Sequence, residues 1–295
     1  MKNISLTIFF LIFFSAALWS KTQKIILTGS EFTGSHIFAK ELSRLINLSK
    51  KKRDWELVSR VEISQETRLE QISNNGIHLA IVDAKTMYES FKKKSDIRVL
   101  SLLWKNWLYI IGTVPSPFLS IESTNNFLIH ENSIYFAKVW KEFSPNTKFK
   151  WFNEQSIPSF ENGFSEEVLI FTGPSHLKEI NYWLEKFAGI HLLSLEKRIT
   201  EALILKNKWL LHHKLPSNSY QYQTEPLTGL VWNPVLITHR NFPKDIAKDL
   251  LNIIFSQKEK INPHILFKNL LIEDNIAFRK VYPYHTSARN MFRLK

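Results

Sequence analysis

Short apolar strands alternate with amphipathic helices over the first hundred residues, and this order limits the fold more than any other feature of the sequence. A strand at Ile25–Leu27 is followed by a turn with Gly29 and Gly34, and then by a helix with apolar residues at helical spacing. The pattern recurs where the buried strand Ile77–Asp83 leads into the helix Ala84–Lys93. Such alternation predicts a parallel α/β sheet with helices packed on it.

A second α/β series follows the proline-containing segment Pro115–Thr124, which predicts a crossover between two domains. The chain then returns through Thr228–Arg240, which we interpret as one long strand. Two lobes joined by crossing segments leave a cleft between them, and small-ligand sites favour such interfaces. We therefore predict a two-lobed α/β architecture in which residues 21–114 and 232–295 form lobe 1 and residues 115–231 form lobe 2.

The first 20 residues predict export from the cytoplasm. Lys2 supplies a positive charge, Ile4–Leu18 is an apolar run, and small residues up to Ser20 precede a candidate cut at Lys21. The apolar run is short for a bilayer crossing, so residues 1–20 are interpreted as a signal peptide, with an uncleaved anchor as the alternative. In both cases the folded part lies outside the cytoplasmic membrane, which predicts a periplasmic location.

Composition and motifs exclude several classes of function. The chain of 295 residues has no cysteine, so it has no disulfide, thiol nucleophile or lipoprotein cysteine. The net charge is +12, but its lysines and arginines are scattered, with short runs only at Lys50–Arg53 and Lys92–Lys94. That distribution indicates a solvated surface, and we predict no nucleic-acid binding. Because no nucleophile elbow, zinc-binding helix or phosphate-binding loop occurs, we predict a protein that is not an enzyme and uses no cofactor or metal.

Five stretches, in consistent order over nearly all of the mature chain, resemble the TAXI-type substrate-binding proteins of tripartite ATP-independent periplasmic (TRAP) transporters. They are the opening loop and helix TGSEFTGSHIFAKELSRLIN, Glu66–Ser90, Ile97–Gly112, Leu227–Phe255 and the ending Tyr282–Phe292. The resemblance implies a type II periplasmic-binding-protein-like fold. It also implies a monomer that captures a small ligand, an organic acid or amino acid, and delivers it to TRAP-type permease subunits.

The sequence departs from that family in two loops. Glu31 and Phe32 fill part of an opening loop that is usually rich in glycine, and only Ser133 matches the small-residue loop of the second lobe. Both changes remove the close backbone approach that glycine permits, so we expect an altered ligand preference or a loss of transport. An orphan binding protein that acts as a ligand sensor or surface adaptor is therefore the alternative function. An exported hydrolase or transferase on a similar scaffold is a third, weaker candidate.

Nine residues are predicted to bind the ligand, because they follow strands or enter helices at the edges that face the cleft. Residues 33–36 offer amides and hydroxyls to an anion at a helix N-terminus, or form only a helix-capping turn in which Ser35 is the candidate N-cap. Asp83 accepts a ligand amine or caps the following helix. Tyr220 closes over the ligand or packs in its loop. The full set is Thr33, Gly34, Ser35, His36, Asp83, Ser133, Thr172, Gly173 and Tyr220.

Overall fold

The computed structural model describes residues 21–31, 33–49, 52–91, 93, 96–112, 118–119, 126–130, 133–152, 168–174, 178–187, 189–256 and 270–294. The predicted signal peptide, Phe32 and most of the predicted crossover Pro115–Thr124 lie outside the described residues. The described part contains two large sheets with helices between their strands, so the predicted α/β class is confirmed.

The elements follow in chain order. The described strands are β1 (Thr22–Thr28), β2 (Trp55–Val61), β3 (Leu79–Val82), β4 (Ile97–Leu102), β5 (Asn106–Gly112), β6 (Phe118–Leu119), β7 (Asn126–His130), β8 (Lys148–Phe152), β9 (Val168–Pro174), β10 (His191–Leu192), β11 (Ser194–Leu195), β12 (Leu211–Leu215), β13 (Leu227–Trp232) and β14 (Val235–His239). The described helices are α1 (Gly34–Leu48), α2 (Gln65–Ser73), α3 (Ala84–Ser90), α4 (Ile134–Phe143), α5 (Lys178–Lys186), α6 (Lys197–Lys206), α7 (Lys244–Ser256), α8 (Ile272–Ala277) and α9 (Thr286–Met291).

The first sheet has the strand order β2-β1-β3-β14-β4. β1 pairs in parallel with β2 and β3, as the alternation of strands and helices predicts. β14 runs antiparallel to both of its neighbours, β3 and β4. The strands of the first hundred residues in this sheet therefore run parallel as predicted, and the sheet is mixed because β14 joins it from a later part of the chain.

Helix α1 packs on the first sheet through the apolar face that its spacing predicts. Phe38 and Leu42 are fully buried, whereas Ile37 and Leu48 on the other sides of the helix are exposed. Phe38 also contacts Trp104, with 5.6 Å between the ring centroids. Burial of each such side chain contributes about 1.5–3 kcal/mol to folding, which is enough to hold α1 against the sheet.

The second sheet has the order β12-β13-β5-β9-β7-β8, and β10 also pairs with β5. β7, β8 and β9 are parallel, while β5 is antiparallel to β9 and β13. The chain passes from the first sheet to the second at residues 103–105, and it returns at residues 233–234. Since β5 belongs to the second sheet, the first crossing comes before the predicted boundary at residue 114. The lobe boundaries themselves stay a prediction.

The predicted long strand Thr228–Arg240 is wrong, because the chain divides it between the two sheets. β13 pairs in the second sheet, whereas β14 pairs in the first, and Asn233 and Pro234 lie between them. The side-chain Nδ2 of Asn233 donates hydrogen bonds to the carbonyl oxygens of Leu103 (2.7 Å) and Trp104 (3.2 Å). This one amide therefore ties the two crossings together.

Candidate functional site

One edge of the first sheet collects the ends of several strands. β1, β2 and β3 are parallel, so their carboxyl ends lie together at this edge. Val235 pairs with both Val82 and Leu102, so the chain also leaves and re-enters the sheet here. Ligands of α/β proteins bind outside the carboxyl ends of strands, which makes this edge the first wall of a candidate cleft.

One edge of the second sheet also lies next to the two chain crossings. Asn106, at the start of β5, is paired with Pro174 at the carboxyl end of β9 and with Trp232 at the end of β13. β7 is parallel to β9, so His130 at its carboxyl end lies on the same side. The two edges therefore lie on either side of the crossings, which is the arrangement that the predicted cleft requires.

The opening loop is held by its own hydroxyl groups. The Oγ of Ser35 accepts a hydrogen bond from the amide of Gly29 (3.1 Å) and lies 2.8 Å from the Oγ1 of Thr33. Thr33 Oγ1 also donates to the carbonyl of Ser30 (2.7 Å). Helix α1 begins at Gly34 with Thr33 as its N-cap, so the prediction that Ser35 is the N-cap is wrong. Ser35 instead braces the loop that precedes the helix.

Gly29 and His36 show how closely this loop is packed. A Cβ at Gly29 would lie 3.0 Å from Thr33 Oγ1 and 3.2 Å from Ser35 Oγ, so a side chain there would push both hydroxyls aside by a few tenths of an ångström. His36 Nδ1 lies 3.1 Å from the hydroxyl of Thr28, which is buried at the end of β1. Residues 33–36 thus lie after the carboxyl end of β1, in a loop fixed by internal hydrogen bonds, and their contact with a ligand stays a prediction.

Asp83 lies at the carboxyl edge of the first sheet, directly after β3, and is hydrogen-bonded to Gln65. Its Oδ2 accepts a hydrogen bond from Gln65 Nε2 (2.6 Å), and its amide donates to Gln65 Oε1 (2.8 Å). Asp83 is the N-cap residue of α3, but its side chain makes no capping hydrogen bond. Gln65 begins helix α2, so this pair links the ends of two successive strand-helix units.

Arg68, which is not among the nine predicted residues, lies near the same edge of the first sheet as Asp83. The residue is buried, with 4% of it exposed, and in the described part of the chain its Nε has no hydrogen-bond partner. Burial lowers its pKa, while the charge of Asp83 and, to a lesser degree, those of Glu62 and Glu66 act in the opposite direction. Arg68 lies four residues before the buried Ile72, so helical spacing already puts it on the apolar face of α2.

Three predicted residues lie on the second wall. Ser133 is fully buried at the start of α4, and its Oγ has no hydrogen-bond partner among the described residues. Thr172 and Gly173 are half-buried at the carboxyl end of β9, where they pair with Leu108 and Trp107. This is the strand end at which they are predicted to meet a ligand.

Tyr220 lies in the core of the second unit, with 4% of the residue exposed. Its hydroxyl is 2.7 Å from that of Tyr109, and the two rings meet edge to face at 5.9 Å. Tyr109 lies in the middle of β5, away from the crossings. This placement favours the packing role over the ligand contact.

Four buried side-chain polar atoms of the described residues are found without a hydrogen-bond partner. Within the described residues they are Arg68 Nε, Ser133 Oγ, Asn233 Oδ1 and Asp96 Oδ1. Asp96 Oδ1 lies 2.9 Å from Arg240 Nε and belongs to an ion pair, so we regard it as compensated. The other three lie on the first wall, on the second wall and at the crossing. Each unpartnered buried group costs about 1–3 kcal/mol, a cost that native proteins rarely retain without a functional reason.

A cavity of about 480 Å³ lies at the opposite end of the first sheet, next to Trp55 at the start of β2. Arg53 in its lining is already bonded to Asp249 (2.6 Å) and to the carbonyl of Ile46 (3.3 Å). We therefore favour the cleft as the functional site.

Among the described residues, no cluster of three or more His, Asp or Glu side chains could hold a metal ion. None of the helices described here is long and apolar enough to cross a membrane.

Comparisons with known proteins give similarity at the level of structure. No family model matches the sequence, and no curated protein matches it. The chain is similar to a TctC solute-binding protein from Polaromonas (11% identity, 92% of this chain and 93% of that chain covered, TM-score 0.49). It is also similar to the GluR0 ligand-binding core in complex with L-glutamate (9%, 85% and 98%, TM-score 0.46). A third similar structure is the substrate-binding protein AbpA from Streptococcus pneumoniae bound to L-arginine (11%, 90% and 98%, TM-score 0.42).

Proposed function

We propose that the chain is an extracytoplasmic solute-binding protein, not an enzyme, that captures an organic acid or amino acid between two lobes. The observation that carries this proposal is the set of unpartnered buried polar atoms, Arg68 Nε on one wall and Ser133 Oγ on the other. A ligand in the cleft would supply the missing partners for both walls at once. Residues 33–36, Asp83, Thr172 and Gly173 are the proposed lining around them.

The proposed mechanism is closure of the two lobes about the crossings. A ligand that contacts both walls stabilises the closed arrangement by its additional contacts, and thereby shifts the population from open to closed. Asn233, which bonds Leu103 and Trp104 across the crossings, is the proposed pivot. Bending would then be confined to residues 103–105 and 233–234, while each sheet moves as a unit.

The sequence resemblance supports the finer assignment. We propose a type II binding protein of the TAXI kind that is exported by a signal peptide at residues 1–20, works in the periplasm as a monomer and delivers its ligand to TRAP-type permease subunits. Lobe 1 would comprise residues 21–114 and 232–295, and lobe 2 residues 115–231, adjusted so that β5 moves with the second lobe. An orphan sensor or surface adaptor with the same cleft is the alternative, and a permease that co-purifies with the mature protein would decide against it.

A ligand screen tests the proposal directly. Thermal unfolding of the mature protein would be followed with amino acids, dicarboxylates and oxo-acids. A ligand present at 100 times its Kd is expected to add about 2.7 kcal/mol to the free energy of unfolding. Small-angle scattering with the same ligand should then show a smaller radius of gyration. A protein that binds none of these compounds, or binds without compaction, would contradict the proposal.

A further inference from the structure

We propose that Arg68 binds the carboxylate of the ligand while the carboxylates around it receive a positively charged group. The ligand would then be an α-amino acid without net negative charge, rather than a dicarboxylate. This inference rests on the proposed function and names the ligand class for the same cleft.

The first step is the state of the Arg68 side chain. The residue is almost wholly buried, and within the described part of the chain its Nε has no hydrogen-bond partner. Its location at the cleft edge follows from its neighbours, since Glu62 comes directly after β2 and Asp83 directly after β3. A guanidinium presents its N–H groups in a planar fork that matches a carboxylate, so an unpaired one at a ligand cleft is a ready carboxylate site.

The second step is that the nearby carboxylates are bonded elsewhere. Asp83 Oδ2 accepts from Gln65 Nε2 at 2.6 Å, and Glu62 Oε1 accepts from the amide of Ser64 at 3.1 Å. Glu66 is exposed, and its Oε2 accepts from the hydroxyl of Ser64 at 3.4 Å. These groups act on Arg68 through space, and among the described residues none is ion-paired with it. The three carboxylates thus partly offset the charge of Arg68, and we assign its guanidinium N–H groups to the ligand carboxylate.

The third step is the balance of charge. Glu62, Glu66 and Asp83 all act on Arg68, so three carboxylates lie around this one guanidinium. A ligand carboxylate bound to Arg68 therefore lies in a field that repels a second negative charge and attracts an ammonium. Asp83 is half-buried, and one of its oxygens is bonded to Gln65. Its other oxygen is the one we assign to the ligand ammonium.

The test combines changes in the ligand with changes in the protein. Binding of the twenty free α-amino acids, their methyl esters, succinate and malate to the mature protein would be measured by titration calorimetry. We expect a free amino acid to bind, and its methyl ester, which lacks the carboxylate, to bind about 10- to 100-fold more weakly. Arg68→Lys keeps the positive charge but removes the planar guanidinium, and Arg68→Gln removes both. Each variant should bind the free amino acid about 10- to 100-fold more weakly than the unmodified protein does. Arg289→Gln, which removes an exposed arginine on α9, is the matched control and should bind as the unmodified protein does.

The outcomes separate the two proposals. If only succinate or malate binds, the solute-binding function stands and the ligand class inferred here is wrong. If an amino acid and its ester bind equally, Arg68 serves only as an internal counter-ion and the inference is also wrong. Binding of none of these compounds would overturn the inference and count against the proposed function as well. The ester comparison uses the unmodified protein, so it decides the matter even if both Arg68 variants fail to fold.

Discussion

The Nζ of Lys105 lies 3.2 Å from the Oδ1 of Asp274, and both side chains are nearly buried beside the chain crossings. Asp274 also accepts a hydrogen bond from Asn233 Nδ2 through its other oxygen (3.1 Å). A short C-terminal helix, α8, is thereby attached to both crossings. The ion pair connects the end of the chain to the segment about which we propose the lobes to close.

Breaking this ion pair is expected to destabilise the protein strongly. Asp274→Ala leaves the Lys105 ammonium buried without its partner, and loss of one member of a buried pair costs about 3–5 kcal/mol. Chemical denaturation measures the change in the free energy of unfolding. Lys197→Ala is the control, since Lys197 and Glu201 form an exposed pair whose loss should cost less than about 0.5 kcal/mol. Equal costs for the two variants would show that the Lys105–Asp274 pair is not buried as described.

Two neighbouring residues on α1 should respond very differently to truncation. Phe38→Ala removes a fully buried ring that contacts Trp104, and it should cost about 3–5 kcal/mol in the free energy of unfolding. Ile37→Ala, one position away and exposed, should change that free energy by less than about 1 kcal/mol. Urea denaturation of both variants checks the orientation of α1. A larger loss for Ile37 than for Phe38 would mean that the helix faces the other way.

The close contact at Gly29 gives a third prediction. Gly29→Ala puts a Cβ about 3.0 Å from Thr33 Oγ1, and the forced shift of the loop should cost about 1–3 kcal/mol. Gly76→Ala is the matched control, because the nearest atom to its new Cβ is the carbonyl oxygen of Gln71 at 3.6 Å, an ordinary contact. Combining Gly29→Ala with Thr33→Ala should recover part of the loss, and a double-mutant cycle measures that coupling. Strictly additive costs would contradict the clash.

Stability should fall in mildly acidic solution because the buried His285 and the half-buried His78 are harder to protonate in the folded protein than in the unfolded chain. Burial is the main cause that lowers the pKa of His285 and of His78 below the ordinary value of 6.5. The unfolded chain therefore binds protons more readily than the folded one as the pH drops below about 6.5. Stability is constant above that pH with respect to these groups, and it is lost progressively below it.

Denaturation at pH 7.5 and at pH 5.5 measures this effect. His285 Nδ1 accepts from the amide of Ser287 (3.2 Å), and its Nε2 lies 3.1 Å from the carbonyl oxygen of Phe242. His285→Asn should lower stability at pH 7.5 and reduce the loss between the two pH values, because one titrating group is gone. An unchanged pH dependence in His285→Asn would refute the assignment.

The sequence predicts the local units of this fold well and their assembly less well. The strand, turn and helix from β1 to α1 follow from apolar spacing alone, because those residues interact within a short stretch. The Asn233–Pro234 dipeptide is a turn signal, but it does not show that the chain changes sheets there. β13 and β14 are both largely buried and only two residues apart, and only pairing with distant strands assigns them to different sheets.

The cleft residues show a similar division. The loop at residues 33–36 was predicted from its small residues, whereas the bracing role of Ser35 depends on a hydrogen bond to Gly29 that spacing does not reveal. Arg68 was missed because α2 is rich in polar residues and looks solvated. Arg68 is buried because α2 packs on strands of the first sheet, and it is not paired with Asp83 because that carboxylate accepts a hydrogen bond from Gln65. Both conditions depend on residues outside the helix, which its own sequence does not reveal.

The position of β14 between β3 and β4 determines when the first unit can be completed during synthesis. β4 is flanked by β14 on one side and by residues 283–285 on the other, where Val99 exchanges backbone hydrogen bonds with Pro283 and His285 (both 2.9 Å). Both neighbours follow the whole second unit in the chain. Such distant pairings form slowly, and β4 can gain these two neighbours only after the second unit has been synthesised. The first sheet, which begins with β1, is therefore completed only after all the strands of the second sheet have been synthesised.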